Sequence, residues 1–485
     1  MNSKPKAAKR STQTNDSERN TVIAVVSIAI VTFIGILSET ALNIAYALLM
    51  SEFDVPAVII QWLTTGYLLT LSILLPLSPL FVRHFRTKAL FQTAVIIFTL
   101  GTLLCAFTGN FPMLFLGRIV QAIGTSISLP LMMNIILEKI PVSRRGKLMG
   151  IVGLVTSFAP ALGPTFGGLM IEWLNWHWIF ISMLPILAVS FLFGSKYIPD
   201  IHSNKPMAVD YWSVLLSTVG FIGIVYGVSI SAESGWSDSA VLSYIATGGL
   251  SLAAFAYRQL KLDKPLIQVR VFANSLFTMG AFIVMISMMT VLAAGFVLPL
   301  YIQKSLGYSS IAAALAMLPG AVINGIMSPL TGKFYDRHGP RLLLSTGFLL
   351  LNLTLLIFSF VPIGLVEVTI IYTVFMFGAS MLAMPAQTNS LNQLPRQYNA
   401  DGAAIMGTLQ QVAGAVGTAL ASSILTMTSV KYAQAFPSAT TEVIAQSIAF
   451  GTQRNFMFFL FLAVIGLLLA LFTRRKPAAH QFPDD

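Results

Sequence analysis

"GKFYDRHGPRLLL" (Gly332–Leu344) is a short charged island between long apolar runs, and it has an echo 254 residues earlier in "SPLFVRHFRTKAL" (Ser78–Leu90). Arg337 falls opposite Arg83, and His338 opposite His84. Each island follows the second apolar run in a group of six, so the chain reads as two related halves. Repeated halves about a central path are a recurring way of building a membrane transporter.

The composition agrees with a membrane setting. Of 485 residues, 56% are hydrophobic and only 10% are charged, against about 25% charged in soluble domains. A helix needs about 20 apolar residues to cross about 30 Å of hydrocarbon. Suitable runs lie near 22–49, 58–80, 88–106, 112–136, 147–171, 177–196, 211–231, 239–257, 272–301, 309–330, 341–361, 367–388, 401–429 and 455–473. The expected fold is therefore an all-α integral membrane protein of fourteen transmembrane helices. Two pseudo-symmetric six-helix bundles, 22–198 and 272–474, enclose an inserted helix pair and its linkers at 199–271. The ends, 1–21 and 475–485, read as cytoplasmic tails.

The net charge of +11 does not signal nucleic acid, because the basic residues form short clusters between apolar runs. With the N-terminus inside, all 29 Lys and Arg except Arg118, Lys304, Lys431 and Arg454 fall on the cytoplasmic side. That asymmetry is the one expected of cytoplasmic loops, and a miscount of one span would scramble it. The implied location is the plasma membrane with both termini in the cytoplasm. The single cysteine, Cys105, forms no intrachain disulfide,. There is no Gly-x-x-x-x-Gly-Lys loop to bind ATP,. No His/Cys/Asp group has metal-ligand spacing, so neither a cofactor nor an enzyme chemistry has residues to stand on.

Against this background one acid is out of place. Glu39, in "FIGILSETALNIA" (Phe33–Ala45), is the one carboxylate well inside a span. A charge there is costly and generally marks an ion or substrate path. Glu39 lies roughly 25 Å along its helix from Val22, and Arg118 roughly 10 Å from Phe111 at the opposite end of span 4. The two then sit at similar depth and are expected to be neighbours, forming a proton-coupling pair. The plainer alternatives are a Glu39 held by Thr40 or Asn43, and an Arg118 that only orders helices. The candidate substrate-cavity residues are Asn43, Gln61, Gln121, Asn134, Asn324, Gln387 and Gln410, with Asn389 and Gln411 beside them.

Several motifs, read together, resemble the major facilitator superfamily, and its fourteen-span drug/proton antiporter branch in particular. "GKFYDRHGPR" resembles the signature loop Gly-x-Leu-x-Asp-Arg-x-Gly-x-Arg. "GRIVQAIGTS" (117–126) resembles Arg-x-x-Gln-Gly-x-Gly, and "APALGPTFGG" (159–168) the antiporter motif with its Gly-Pro-x-x-Gly-Gly core. "LSETALNIA" (37–45) and "WHWIFISMLP" (176–185) resemble the branch itself. The first loop carries Val82 and Phe85 where the signature has Asp and Gly, and Ser38 stands where the family's span 1 usually has Asp. The resemblance implies an antiporter motif at Pro160, Gly163, Pro164, Gly167 and Gly168, sealing the pathway at one face. It also implies a cytoplasmic gate at Arg83, Gly332, Asp336, Arg337, Gly339 and Arg341, although loop topology alone explains much of that charge.

These readings converge on a proton-coupled multidrug efflux antiporter that exports lipophilic cations by alternating access. Its partners would be a lipophilic small molecule, protons and the bilayer, with no nucleic acid. Export of an endogenous metabolite or lipid is the alternative, and a non-transporting sensor or scaffold the more distant one. The sequence carries no signal of oligomeric state.

Overall fold

The computed structural model describes residues 5–139, 158–160, 162–199, 210–262, 265–395, 398–436 and 440–473. These residues are almost entirely helical, and among them no strand occurs. In hydrocarbon each backbone N–H and C=O must find its partner within the protein, which an α-helix does within one segment.

The membrane-crossing elements are α1 (Asn20–Glu52), α2 (Ala57–Leu77), α3 (Thr87–Ala106) and α4 (Phe111–Ile136). A helix over 162–173 is α5. It is followed by α6 (Trp178–Tyr197), α7 (Tyr211–Ser234), α8 (Ser239–Lys261) and α9 (Ser275–Ser305). Then come α10 (Ser310–His338), α11 (Pro340–Phe360), α12 (Leu365–Asn392), α13 (Asp401–Ala433) and α14 (Thr441–Phe472). Thirteen of these are long and apolar enough to cross a membrane among the described residues. The span expected at 147–171 is described at 158–160 and at 162–171, the latter within α5, and its remainder lies outside the described residues. Two boundaries differ from expectation. α14 begins at Thr441 rather than 455, because Thr440 caps it by accepting from Val443 N. The helical backbone also extends from Ala41 back to Pro5, through the stretch read as a tail.

Local chemistry sets the helix ends. Asn274 accepts from Leu276 N and Phe277 N to start α9, and Ser309 does the same for α10 through Ala312 N. The two echoing loops turn differently. Gly339 stops α10 at φ 78°, a conformation suited to glycine, and Pro340 follows as the first residue of α11,. Phe85, at the matching place, is extended at φ −110°. The residue change that separates the loops in sequence is therefore a change of backbone path.

Close approach between neighbours depends on small residues. A Cβ on Gly124 would lie 2.6 Å from Ala94 O, and one on Gly101 2.6 Å from Gln121 N, so α3 and α4 touch backbone to backbone,. The inserted pair, α7 and α8, meets at Gly223 and Gly248. α8 turns Leu242, Leu250 and Tyr257 outward, the normal dress of a helix facing lipid,. α7 instead lies in the groove between α2 and α13. Ser229 Oγ accepts from Gln61 Nε2 at 2.9 Å, while the neighbouring Val228 carbonyl accepts from Ser423 Oγ at 3.0 Å. Around them Phe221 and Val225 pack with Leu68, Leu292 and Val412.

At the base of the pair, Arg258 grips Asp210 with two bonds of 2.8 Å. Gln259 Oε1 accepts from Leu266 N at 2.7 Å and Ile267 N at 3.2 Å, so the same turn anchors the linker that leads to α9.

Candidate functional site

α4 brings Arg118 into the middle of the first six helices, where it is fully buried. Its Nε donates to Leu63 O at 3.2 Å. Its Nη1 donates to Ser38 Oγ at 2.9 Å, Ser38 O at 3.3 Å and Gln121 Oε1 at 3.0 Å. The guanidinium carbon stands 4.3 Å from the centre of the Tyr67 ring, a favourable place for a desolvated cation. Tyr67 is fixed in turn by its hydroxyl, which reaches Gly35 O at 3.1 Å and Thr125 Oγ1 at 2.7 Å. Gln121 is held from its other end, its Nε2 donating to Thr102 Oγ1 at 2.9 Å. The remaining guanidinium nitrogen, Nη2, has no hydrogen-bond partner among the described residues.

The cage contains no carboxylate. Glu39 is buried at 7% exposure, within Coulombic range of Arg118, yet the two form no ion pair among the described contacts. The helix explains why. Successive side chains differ by about 100°, and Ser38, at the position where the family usually has Asp, is the residue that meets the guanidinium. Glu39 is carried round the helix, just before the chain tightens into a 3-10 turn at Leu42–Ala45.

Polar groups continue along α1 and α2. Thr64 Oγ1 donates to Asn43 Oδ1 at 2.9 Å and is also bonded to the Tyr46 hydroxyl. Gln61 joins α2 to α7 and accepts from Thr65. Gln121 and Gln61 are thus fully buried in helix contacts. In the other half, Asn324 Nδ2 donates to Met376 O at 3.2 Å, and Asn389 accepts from the Tyr335 hydroxyl at 3.3 Å. Gln410 Nε2 reaches Gln387 Oε1 at 3.4 Å, both half-buried. Asn134 is half-buried on α4.

The glycines of the antiporter motif sit at contact points. A Cβ on Gly163 would fall 1.9 Å from Thr40 Oγ1, and one on Gly167 2.2 Å from Ala41 O. α5 therefore lies against the segment of α1 that bears Glu39. Gly168 faces Ala314 of α10 at 2.5 Å. Pro160 and Pro164 flank these contacts and are half-buried. For the gate, Arg337 and Arg341 are exposed, and the space about Gly332 is open. The side chains of Arg83 and Asp336 lie outside the described residues.

At the end of the molecule bearing Glu52, α1 touches α9. Gln303 Nε2 donates to Ile44 O at 3.1 Å, and Lys304 Nζ to Ser51 Oγ at 3.1 Å. Phe296 packs on Tyr46 with ring centres 5.8 Å apart. This distal closure, together with the caged cation, had only partial signals in the sequence. Arg118 and Gln121 share one face of α4 at i, i+3, but Leu63, Tyr67 and Thr102 come from other helices.

The sequence profile described as Major Facilitator Superfamily matches residues 28–418. The chain belongs to the major facilitator superfamily. It is a multi-pass membrane transporter and not an enzyme. The lincomycin resistance protein LmrB of Listeria monocytogenes is 46% identical over 445 residues, 91% of this chain and 94% of that protein. LmrB of Bacillus subtilis is 43% identical over 460 residues, 94% of this chain and 96% of that one. The riboflavin transporter RibZ of Clostridioides difficile is 26% identical over 460 residues, 94% and 98% of the two chains. In fold, the chain is similar to a bacterial homologue of the human lysosomal transporter Spinster in an inward-facing, unoccupied conformation. The TM-score is 0.66 at 14% identity, over 98% of this chain and all of that one.

Proposed function

We propose that this superfamily member is a proton-coupled drug exporter of the fourteen-span branch, moving lipophilic, cationic compounds out of the cell. The observation that carries the reading is a buried acid, Glu39, beside a caged arginine that it does not pair with. Burial favours the neutral acid and a nearby cation favours the ionised one. A small change in the distance between Glu39 and Arg118 shifts that balance, so a rearrangement of α1 against α4 loads or releases a proton. A lipophilic cation competes with the proton for the same negative charge. The relatives named for lincomycin resistance support drug export as the substrate class.

The distal contacts at Ile44, Ser51 and Gly168 supply the second part. With both termini cytoplasmic, that end is the outer one, and the closure it makes belongs to the state open to the cytoplasm. Residues 22–198 then rock against 272–474, with the motif glycines as the close interface and Asp336, Arg337 and Arg341 as the inner gate. The cavity residues Asn134, Asn324, Gln387 and Gln410 remain the candidates to face substrate. Gln61 and Gln121 serve helix contacts in this state. Export of an endogenous metabolite is a second reading, favoured by the full-length similarity to a riboflavin transporter.

The test uses protein in liposomes with an imposed proton gradient, following entry of a dye cation and internal pH together. The wild type should exchange dye for protons, and Glu39→Gln should lose both movements. Coupled exchange that survives in Glu39→Gln would place the proton site elsewhere. Gradient-driven movement of riboflavin with none of dye would favour the metabolite reading.

A further inference from the structure

A cleft opens on the distal face of the second half, away from Glu39 and Arg118. It is a wide, open groove of about 470 Å³, lined by Tyr301, Ser305, Ile363, Gly364, Glu442 and Gln446. Past Tyr301 a second lobe of about 250 Å³ runs between Phe358, Tyr432, Phe450 and Thr452. That is the size of a small-molecule site, with mostly apolar walls and a few polar groups.

Three observations separate it from an ordinary gap between helices. α9 ends in a widened π turn at Tyr301–Ser305, an irregularity that recurs at functional sites. The turn is tied into the walls, Tyr301 donating to Ile363 O at 2.7 Å and Ser305 to Ala445 O at 2.9 Å. In the second lobe, the Thr452 hydroxyl is buried at 3% exposure and has no hydrogen-bond partner among the described residues. A buried hydroxyl left alone is destabilising, which a bound polar atom would relieve. Finally, the rim carries two carboxylates, alongside the cations Lys304 and Arg454. Glu442 is exposed and accepts from Gln446 Nε2 at 3.3 Å, and Glu367 lies within Coulombic range of Tyr301. The aromatic wall already accommodates one cation, since the Arg454 guanidinium sits 4.9 Å from the centre of the Phe450 ring.

We propose that this cleft is a second binding site, on the exit side, for a drug-sized lipophilic monocation that also offers a hydrogen-bonding atom to Thr452. Aromatic faces and carboxylates together select that chemistry. The proposal rests on the reading of the distal end as outer and of the substrate as cationic. It adds a link between occupancy and closure. Gln303 and Lys304 belong to the same π turn as Tyr301 and Ser305, and they hold Ile44 and Ser51 of the first half. An occupant that moves the turn therefore acts on the contact between halves.

The experiment places a cysteine at the site, Ser305→Cys, and measures its reaction with a membrane-impermeant maleimide in lipid nanodiscs. Cys105 is buried and does not interfere. Ala445→Cys serves as a second reporter that leaves the Ser305 hydroxyl in place. Rhodamine 6G, a lipophilic monocation with hydrogen-bonding atoms, should slow labelling at both positions about fivefold, the scale of a partly exposed ion pair. A lipophilic anion, tetraphenylborate, should not. Protection should vanish in Glu442→Gln/Glu367→Gln and persist in Glu39→Gln. Labelling unaffected by the cation at both positions would overturn the site, as would protection lost in Glu39→Gln, which would trace it to the central acid. Dye transport measured on the same protein keeps the two ideas apart. Protection without transport would count against the exporter reading and leave the cleft standing.

Discussion

Gly168→Ala places a methyl group where α5 meets α10, and the structure says what it would strike. The new Cβ would lie 2.5 Å from Ala314 Cβ, well inside contact distance, with the next atoms at 3.4 Å and 3.6 Å. The obstruction is thus one methyl group against another, and the helices must separate or the contact must break. Overpacking of this kind costs about 1–3 kcal/mol, which corresponds to about a 5- to 150-fold loss in the population of the closed distal end. Ala314→Gly removes the struck atom, so the double variant should recover most of that loss, less about 0.5–1 kcal/mol for glycine within a helix. The assay is the rate at which an impermeant maleimide reaches Ile44→Cys, a fully buried position beside the closure. The rate should rise in Gly168→Ala and fall back in Gly168→Ala/Ala314→Gly. An unchanged rate in the single variant, or no recovery in the double, would refute the reasoning. Gly167→Ala is the internal control. Its obstacle is the Ala41 carbonyl at 2.2 Å, and no side-chain substitution can remove a backbone atom.

Arg118→Lys keeps the charge but loses the planar fork that serves Leu63, Ser38 and Gln121 together,. Leaving buried acceptors unmet costs about 1–3 kcal/mol each, so thermal stability in detergent should drop along with transport, and an unshifted melting temperature would contradict the cage. At the base of the inserted pair, the Arg258 bonds hold the Asp210 carboxyl down to about 2. A depressed acid contributes stability that is present above its unfolded value near 4 and is lost as the pH falls through 2. Asp210→Asn should flatten that part of the stability profile. The pair is partly exposed, so the effect is on the order of 1 kcal/mol, and an identical acid limb in the variant would assign the linkage elsewhere.

Much of the fold was legible because its physics is one-dimensional. Apolar run length marks a crossing, and reading it does not require knowing what packs on what. Partnerships were harder. Depth along two helices sets Arg118 level with Glu39, but depth carries no azimuth, and the guanidinium meets Ser38. Gln61 and Gln121 looked like cavity residues because amides are rare in apolar spans. Their bonds to Ser229 and Thr102 cross from one helix to another, and nothing local to the sequence announces such a pairing. The early start of α14 is not legible from apolar run length, because Glu442, Gln446, Ser447, Thr452, Gln453 and Arg454 interrupt the apolar residues of its first turns.

The seating of α7 has a mechanical consequence. Val228 and Ser229 are consecutive, yet one is held by Ser423 of α13 and the other by Gln61 of α2. Any displacement that parts α2 from α13 must break one of these grips, because two adjacent residues cannot follow both. The apolar packing about Phe221 and Val225 must divide along the same line. If α2 and α13 part, the inserted pair must go with one of them, and the line of parting runs along one flank of α7 rather than down the middle of the sequence.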